Sequence, residues 1–66
     1  MKVYVNDAPR ELADGTTIAT LVATLDLAGR RIAVELNQDI VPKSLHAQTI
    51  LRDQDRIEIV HAIGGG

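Results

Sequence analysis

The 66-residue chain has no cysteine, no phenylalanine and no tryptophan, and a single tyrosine, Tyr4. Without cysteine there is no disulfide and no thiolate metal site. That is compatible with a reducing cytoplasm, the expected location. With aromatics this scarce, the stacking platform of a single-strand nucleic-acid binder is missing. The charge balance of 7 basic and 9 acidic residues, net −2, removes the basic face that phosphate backbones require. No apolar run approaches the roughly 20 residues of a membrane span, and the N-terminus carries no signal-peptide pattern. Nucleic acid and membrane are therefore not expected partners.

Aliphatic residues are plentiful. Val, Ile and Leu supply 20 of the 66 residues, well above a disordered composition. A chain of this length makes one domain with a small core, and with no staple available it must pack that core efficiently.

From Met1 to Asn6, Val3 and Val5 alternate with Lys2, Tyr4 and Asn6, the pattern of a strand with one buried face. Asn6-Asp7-Ala8-Pro9 reads as a turn, and Arg10 to Ala13 as a short returning strand with Leu12 inward. Thr16 or Thr17 is a good helix N-cap. Ile18, Leu21, Val22 and Leu25 then follow at i, i+3, i+4 and i+7, one apolar stripe, with Gly29 in the usual stop position. Ile32, Val34 and Leu36 alternate in a third strand. Asn37-Gln38-Asp39 turns it, and Ile40-Val41-Pro42 returns at an edge, since Pro42 cannot donate to a ladder. Lys43 to Thr49 is irregular, with room for one helical turn around Leu45. Ile50-Leu51 re-enters the core and Asp53-Gln54-Asp55 turns again. Arg56 to Ile63 is the last strand, with Ile57, Ile59, His61 and Ile63 on one side and Glu58, Val60 and Ala62 on the other. One sheet with one apolar face and one helix with one apolar stripe give an α+β fold, the helix lying across a single face of the sheet. Residues 1–62 form the domain and residues 63–66 a flexible glycine-rich tail.

Catalytic constellations are absent. Ser44 and His46 lie two apart in a loop with no acidic orienter. Asp53 and Asp55 fit turn-forming aspartates better than a metal pair. The glycines are not followed by a helix, as a phosphate loop requires. The domain is thus not expected to be an enzyme. The remaining candidate for chemistry is the end, Ile63-Gly64-Gly65-Gly66. Glycine lacks a Cβ, so Gly64 and Gly65 can thread a narrow channel. The four residues reach roughly 13 Å at about 3.3 Å each, enough to carry the Gly66 carboxylate into a partner's cleft. By alternation Tyr4, Ala33, Val60 and Ala62 share the sheet face away from the helix, a modest docking patch; Tyr4, Val60 and Ala62 are its candidate contacts.

Three stretches resemble the ThiS family of sulfur carriers, and together they extend the similarity along the whole chain. They are Met1-Lys2-Val3-Tyr4-Val5-Asn6, the segment Val34 to Lys43 with its Asn37 and Val41-Pro42-Lys43, and Arg56 to Gly66. The resemblance implies a ubiquitin-like β-grasp fold. It implies that a ThiF-type enzyme, using ATP, adenylates Gly66 and that the adenylate becomes a thiocarboxylate. It also implies that the carrier delivers sulfur to thiazole synthase (ThiG) in thiamin biosynthesis. The small size and modest docking patch point to a monomer when free, and no bound cofactor is expected. Related carriers for molybdopterin or cysteine synthesis, a ubiquitin-like protein modifier and a β-grasp interaction module with an idle tail are the alternatives. The His61-Ala62-Ile63 approach to the glycines disfavours the molybdopterin reading. Two departures from the family stand out: Gln54 where relatives usually have glycine, and no aromatic around His46.

Overall fold

The computed structural model describes residues 1–61. The elements are β1 (Lys2–Val5), β2 (Ala8–Glu11), α1 (Ile18–Thr24), β3 (Ile32–Leu36), β4 (Asp39–Ile40), a 3-10 turn (Lys43–Leu45) and β5 (Arg56–His61). They form a five-stranded mixed sheet of order β2-β1-β5-β3-β4 with α1 across one face, the ubiquitin-like β-grasp expected. The last strand in the chain is the central strand of the sheet. It runs parallel to β1, with Tyr4 opposite Arg56 and Val5 opposite Ile57. It runs antiparallel to β3, from Ile32 opposite His61 to Leu36 opposite Ile57.

The core is the meeting of the two apolar patterns. Val3, Val5, Val34, Ile57 and Ile59 come from the sheet, Ile18, Leu21 and Val22 from the helix, and Leu51 from the loop before β5. Burying each such side chain contributes about 1.5–3 kcal/mol. Of the pair Ile50-Leu51 only Leu51 enters; Ile50 is 58% exposed, because the bridge of Ile50 to Thr17 turns successive side chains to opposite faces. His61, inward by alternation, is exposed.

Several local expectations are corrected. The first turn is only Asn6-Asp7, and both residues have positive φ (50° and 69°), as a two-residue type I′ hairpin requires. The returning strand is therefore Ala8–Glu11, not Arg10–Ala13, and Pro9 lies within it opposite Tyr4. A proline is tolerated there because β2 is an edge. The same chemistry recurs at Asn37-Gln38 (φ 50° and 75°), between β3 and β4. Of the two expected cap candidates the helix uses Thr17: the Thr20 N–H donates to Thr17 Oγ1 at 3.2 Å. It ends at Thr24, five residues before Gly29. Asp26 takes the left-handed conformation (φ 62°), and the bonds from Asp26 N–H to Ala23 O and Leu27 N–H to Val22 O complete a Schellman cap. Gly29 (φ 80°) instead shapes the next turn, closed by Arg30 N–H to Leu27 O.

Candidate functional site

The expected working residues Gly64, Gly65 and Gly66, the docking residue Ala62 and the boundary between domain and tail lie outside the described residues. The structure does show how the strand that leads to them is held. β1 stops at Val5 and turns away, which would leave the Ile59 backbone without a partner on that side. The Asn6 side chain takes up both groups: Ile59 N–H donates to Asn6 Oδ1 at 2.8 Å, and Asn6 Nδ2 donates to Ile59 O at 3.1 Å. The amide thus continues the parallel ladder beyond the strand that made it. On the opposite flank Asn37 acts at the start of β5. Its Oδ1 accepts from Arg56 N–H at 3.0 Å, and its Nδ2 donates to Asp55 at 3.0 Å. Each hairpin turn therefore contributes its first asparagine to the central strand.

Reading the sequence assigned these asparagines to turns and missed the second role. The available signal was that both two-residue turns begin with Asn, a side chain that carries a donor and an acceptor and tolerates positive φ.

The turn that feeds β5 is equally well tied. Lys2 N–H donates to Asp53 Oδ1 at 2.7 Å, Gln54 N–H to Lys2 O at 2.6 Å, and Arg52 N–H to Asp55 Oδ2 at 2.8 Å. These bonds make Asp53 and Asp55 turn-forming groups, as expected. The Lys2 backbone N–H, and then the Gln54 side chain, hold the Asp53 carboxyl below its ordinary value. Gln54 has φ 72°, so the position where glycine was expected does require the left-handed conformation.

Tyr4 and Val60 share the sheet face away from the helix, but they do not touch through one row of the ladder. Tyr4 is opposite Arg56 and Val60 lies four residues further along β5, about 13 Å. The Tyr4 ring is flanked by two cations, the Arg56 guanidinium at 4.8 Å and the Lys2 ammonium at 5.8 Å from its centroid, within cation–π range. Between Tyr4 and Val60 the ladder sets Glu58 opposite Glu35. Val60 is 54% exposed, and Ala33 beside it is half-buried.

Ser44 and His46 are not a catalytic pair. Ser44 is exposed, whereas His46 is buried with its Nε2 2.9 Å from Val41 O, a structural tether for the loop after β4. The first N–H groups of α1 are likewise committed, Ile18 to Thr49 O and Ala19 to His46 O, so they offer nothing to an anion. Among the described residues no group of three or more His, Asp or Glu could hold a metal, and no helix is long and apolar enough to cross a membrane.

A family model described as the ThiS family matches residues 3–66. The chain belongs to the ThiS family. The sulfur carrier protein ThiS of Escherichia coli (strain K12) is 36% identical over 66 residues, which cover all of both chains. The thiazole synthase of Paramagnetospirillum magneticum is 42% identical over the same length, but the chain spans only 20% of that larger protein. Among solved structures, a thiamine biosynthesis protein (ThiS) from Geobacter metallireducens superimposes with a TM-score of 0.86 at 28% identity, covering both chains completely.

Proposed function

We propose that this chain is a sulfur carrier of thiamin biosynthesis rather than a catalyst, and that Gly66 is its working residue. The observation that carries this reading is the family match, which runs through the glycine end to residue 66. In the proposed cycle a ThiF-type enzyme attacks the α-phosphorus of ATP with the Gly66 carboxylate, releasing pyrophosphate and leaving an acyl-adenylate. A sulfur nucleophile supplied by a donor then displaces AMP, so that one carboxyl oxygen is replaced by sulfur. Water must be kept from the mixed anhydride; Gly64 and Gly65 supply a backbone thin enough to enter a closed cleft. The thiocarboxylate is delivered to a thiazole synthase, a partner suggested by the likeness to one-fifth of such a synthase.

Docking on these partners is assigned to the face bearing Tyr4 and Val60, continued by Ala62. Tyr4 presents an aromatic ring with two cations over it, and Val60 an exposed apolar spot on β5. The carrier works as a monomer that forms transient complexes.

Intact-mass measurement tests the reading. Purified chain ending at Gly66 is incubated with a ThiF-type enzyme, ATP and a sulfur donor. The expected product has one oxygen exchanged for sulfur at the C-terminus, and deletion of Gly66 abolishes it. Thiamin-independent growth supported equally well by a chain lacking Gly65 and Gly66 would sink the proposal.

A further inference from the structure

A groove of about 190 Å³ opens on the helix side of the molecule, away from the face of Tyr4 and Val60. Its apolar lining includes Ala19 and Val22 of α1, Leu27 of the turn after it and Ile32 of β3, while Arg30 and Lys43 also line it. The helix wall is pinned to the wall of residues 43–47, and the turn of residues 27–30 is closed on itself. Ala19 N–H donates to His46 O, and Arg30 N–H to Leu27 O, while buried His46 ties its own loop to Val41. The groove is therefore built in advance rather than opened by a ligand.

Size and charge select the occupant. Sites for cofactors and drug-sized molecules run to about 300–1,000 Å³, so this groove suits one or two side chains of a polypeptide. Arg30 and Lys43 are both exposed, and among the described residues neither forms an ion pair. On a chain of net charge −2, two uncompensated cations beside an apolar slot are complementary to a leucine-like side chain flanked by carboxylates. We infer that this groove docks an acidic segment of a partner protein, with one aliphatic side chain seated against Val22, Leu27 and Ile32 and neighbouring Asp or Glu side chains paired with Arg30 and Lys43. A partner held there leaves the Tyr4 and Val60 face uncovered, so the chain can be gripped from both sides at once.

The test is a backbone amide NMR titration of the full chain with the capped peptide Glu-Asp-Leu-Asp-Glu. Saturable shifts are expected at Val22, at residues 27–32 and at residues 43–47, weakening as salt is added. The double variant Arg30→Glu, Lys43→Glu, both at exposed positions, should bind the acidic peptide at least tenfold more weakly and gain affinity for Lys-Lys-Leu-Lys-Lys. Absence of saturable shifts at these positions overturns the inference. So does equal binding of the basic peptide by the unaltered chain, or equal binding of Glu-Asp-Ala-Asp-Glu. If sodium hexanoate saturates the same residues as tightly as the leucine peptide, the groove is a small-carboxylate site and the protein partner is wrong. None of these outcomes depends on sulfur chemistry at Gly66.

Discussion

Replacing Asn6 separates two things that one side chain does. Asn6 occupies the left-handed region at φ 50°, and its amide makes two bonds to the Ile59 backbone, at 2.8 and 3.1 Å. Asn6→Gly keeps the backbone conformation and deletes only the amide. A net hydrogen bond contributes about 0.5–1.5 kcal/mol, so losing two costs about 1–3 kcal/mol. Water can reach this half-covered site and glycine adds unfolded-state entropy; these act in opposite directions, which places the expected loss near 2 kcal/mol. Asn6→Ala loses the same bonds and adds a left-handed alanine, about 1–2 kcal/mol more. A domain of this size has a total stability of only about 3–10 kcal/mol, so both losses are measurable by urea denaturation at constant m-value. Hydrogen exchange localises the effect. In Asn6→Gly the Ile59 amide should exchange faster by more than the global destabilisation explains, while the Glu35 amide, paired with Glu58 across β3 and β5, follows the global change. If Asn6→Gly lies within about 0.3 kcal/mol of the unaltered chain and Ile59 keeps its protection, the clamp is not holding β5 and the reasoning fails.

Two further perturbations address the turn before β5. Gln54→Gly relieves a left-handed glutamine at φ 72°; after the entropy cost of glycine it should stabilise the fold by about 0.5–1 kcal/mol in the same denaturation assay, and a loss of stability would show that the Gln54 side chain matters more than its backbone. Asp53 ionises more readily in the folded state, first because Lys2 N–H bonds its carboxylate and then because of Gln54. Its stabilising contribution is therefore complete above the unfolded value near 3.8 and fades as pH falls through the lower folded value. Asp53→Asn should flatten the stability profile below about pH 4, and an unchanged acid limb would refute the assignment.

The order of elements was readable because each rests on a periodic pattern strong enough to survive context. Val3 and Val5, Ile18, Leu21 and Val22 of the helical stripe, and Ile57 with Ile59 all bury as their spacing implies, and Leu25 packs partly buried against them. Boundaries failed where the deciding fact was a dihedral rather than a side-chain class. Pro9 looked like part of a turn, yet an edge strand accepts it. Gly29 looked like the helix stop, yet Asp26 adopts the left-handed cap and Gly29 serves the next turn. The two asparagine clamps were hidden for another reason: their partners, Ile59 and Arg56, lie 53 and 19 residues away in sequence, and no local pattern reports a backbone group left open by a departing strand. The groove beside α1 was hidden for the same reason, since its walls come from four separate segments.

The central position of β5 also governs the order in which this molecule can be made. The two hairpins, β1–β2 and β3–β4, do not pair with each other; both pair with residues 56–61. At about 5–20 residues per second the first hairpin exists for several seconds on the ribosome before its neighbour in the sheet is synthesised. During that interval each hairpin has an unpaired inner edge and half of an apolar face, the condition in which strands find wrong partners. Asn6 and Asn37 have nothing to bind until β5 arrives, so each marks an empty place for the strand that closes the sheet. A chain cut short before residue 56 is left with two hairpins and no ladder between them. Sheet completion and synthesis of the strand that leads into the glycine end are thus a single event.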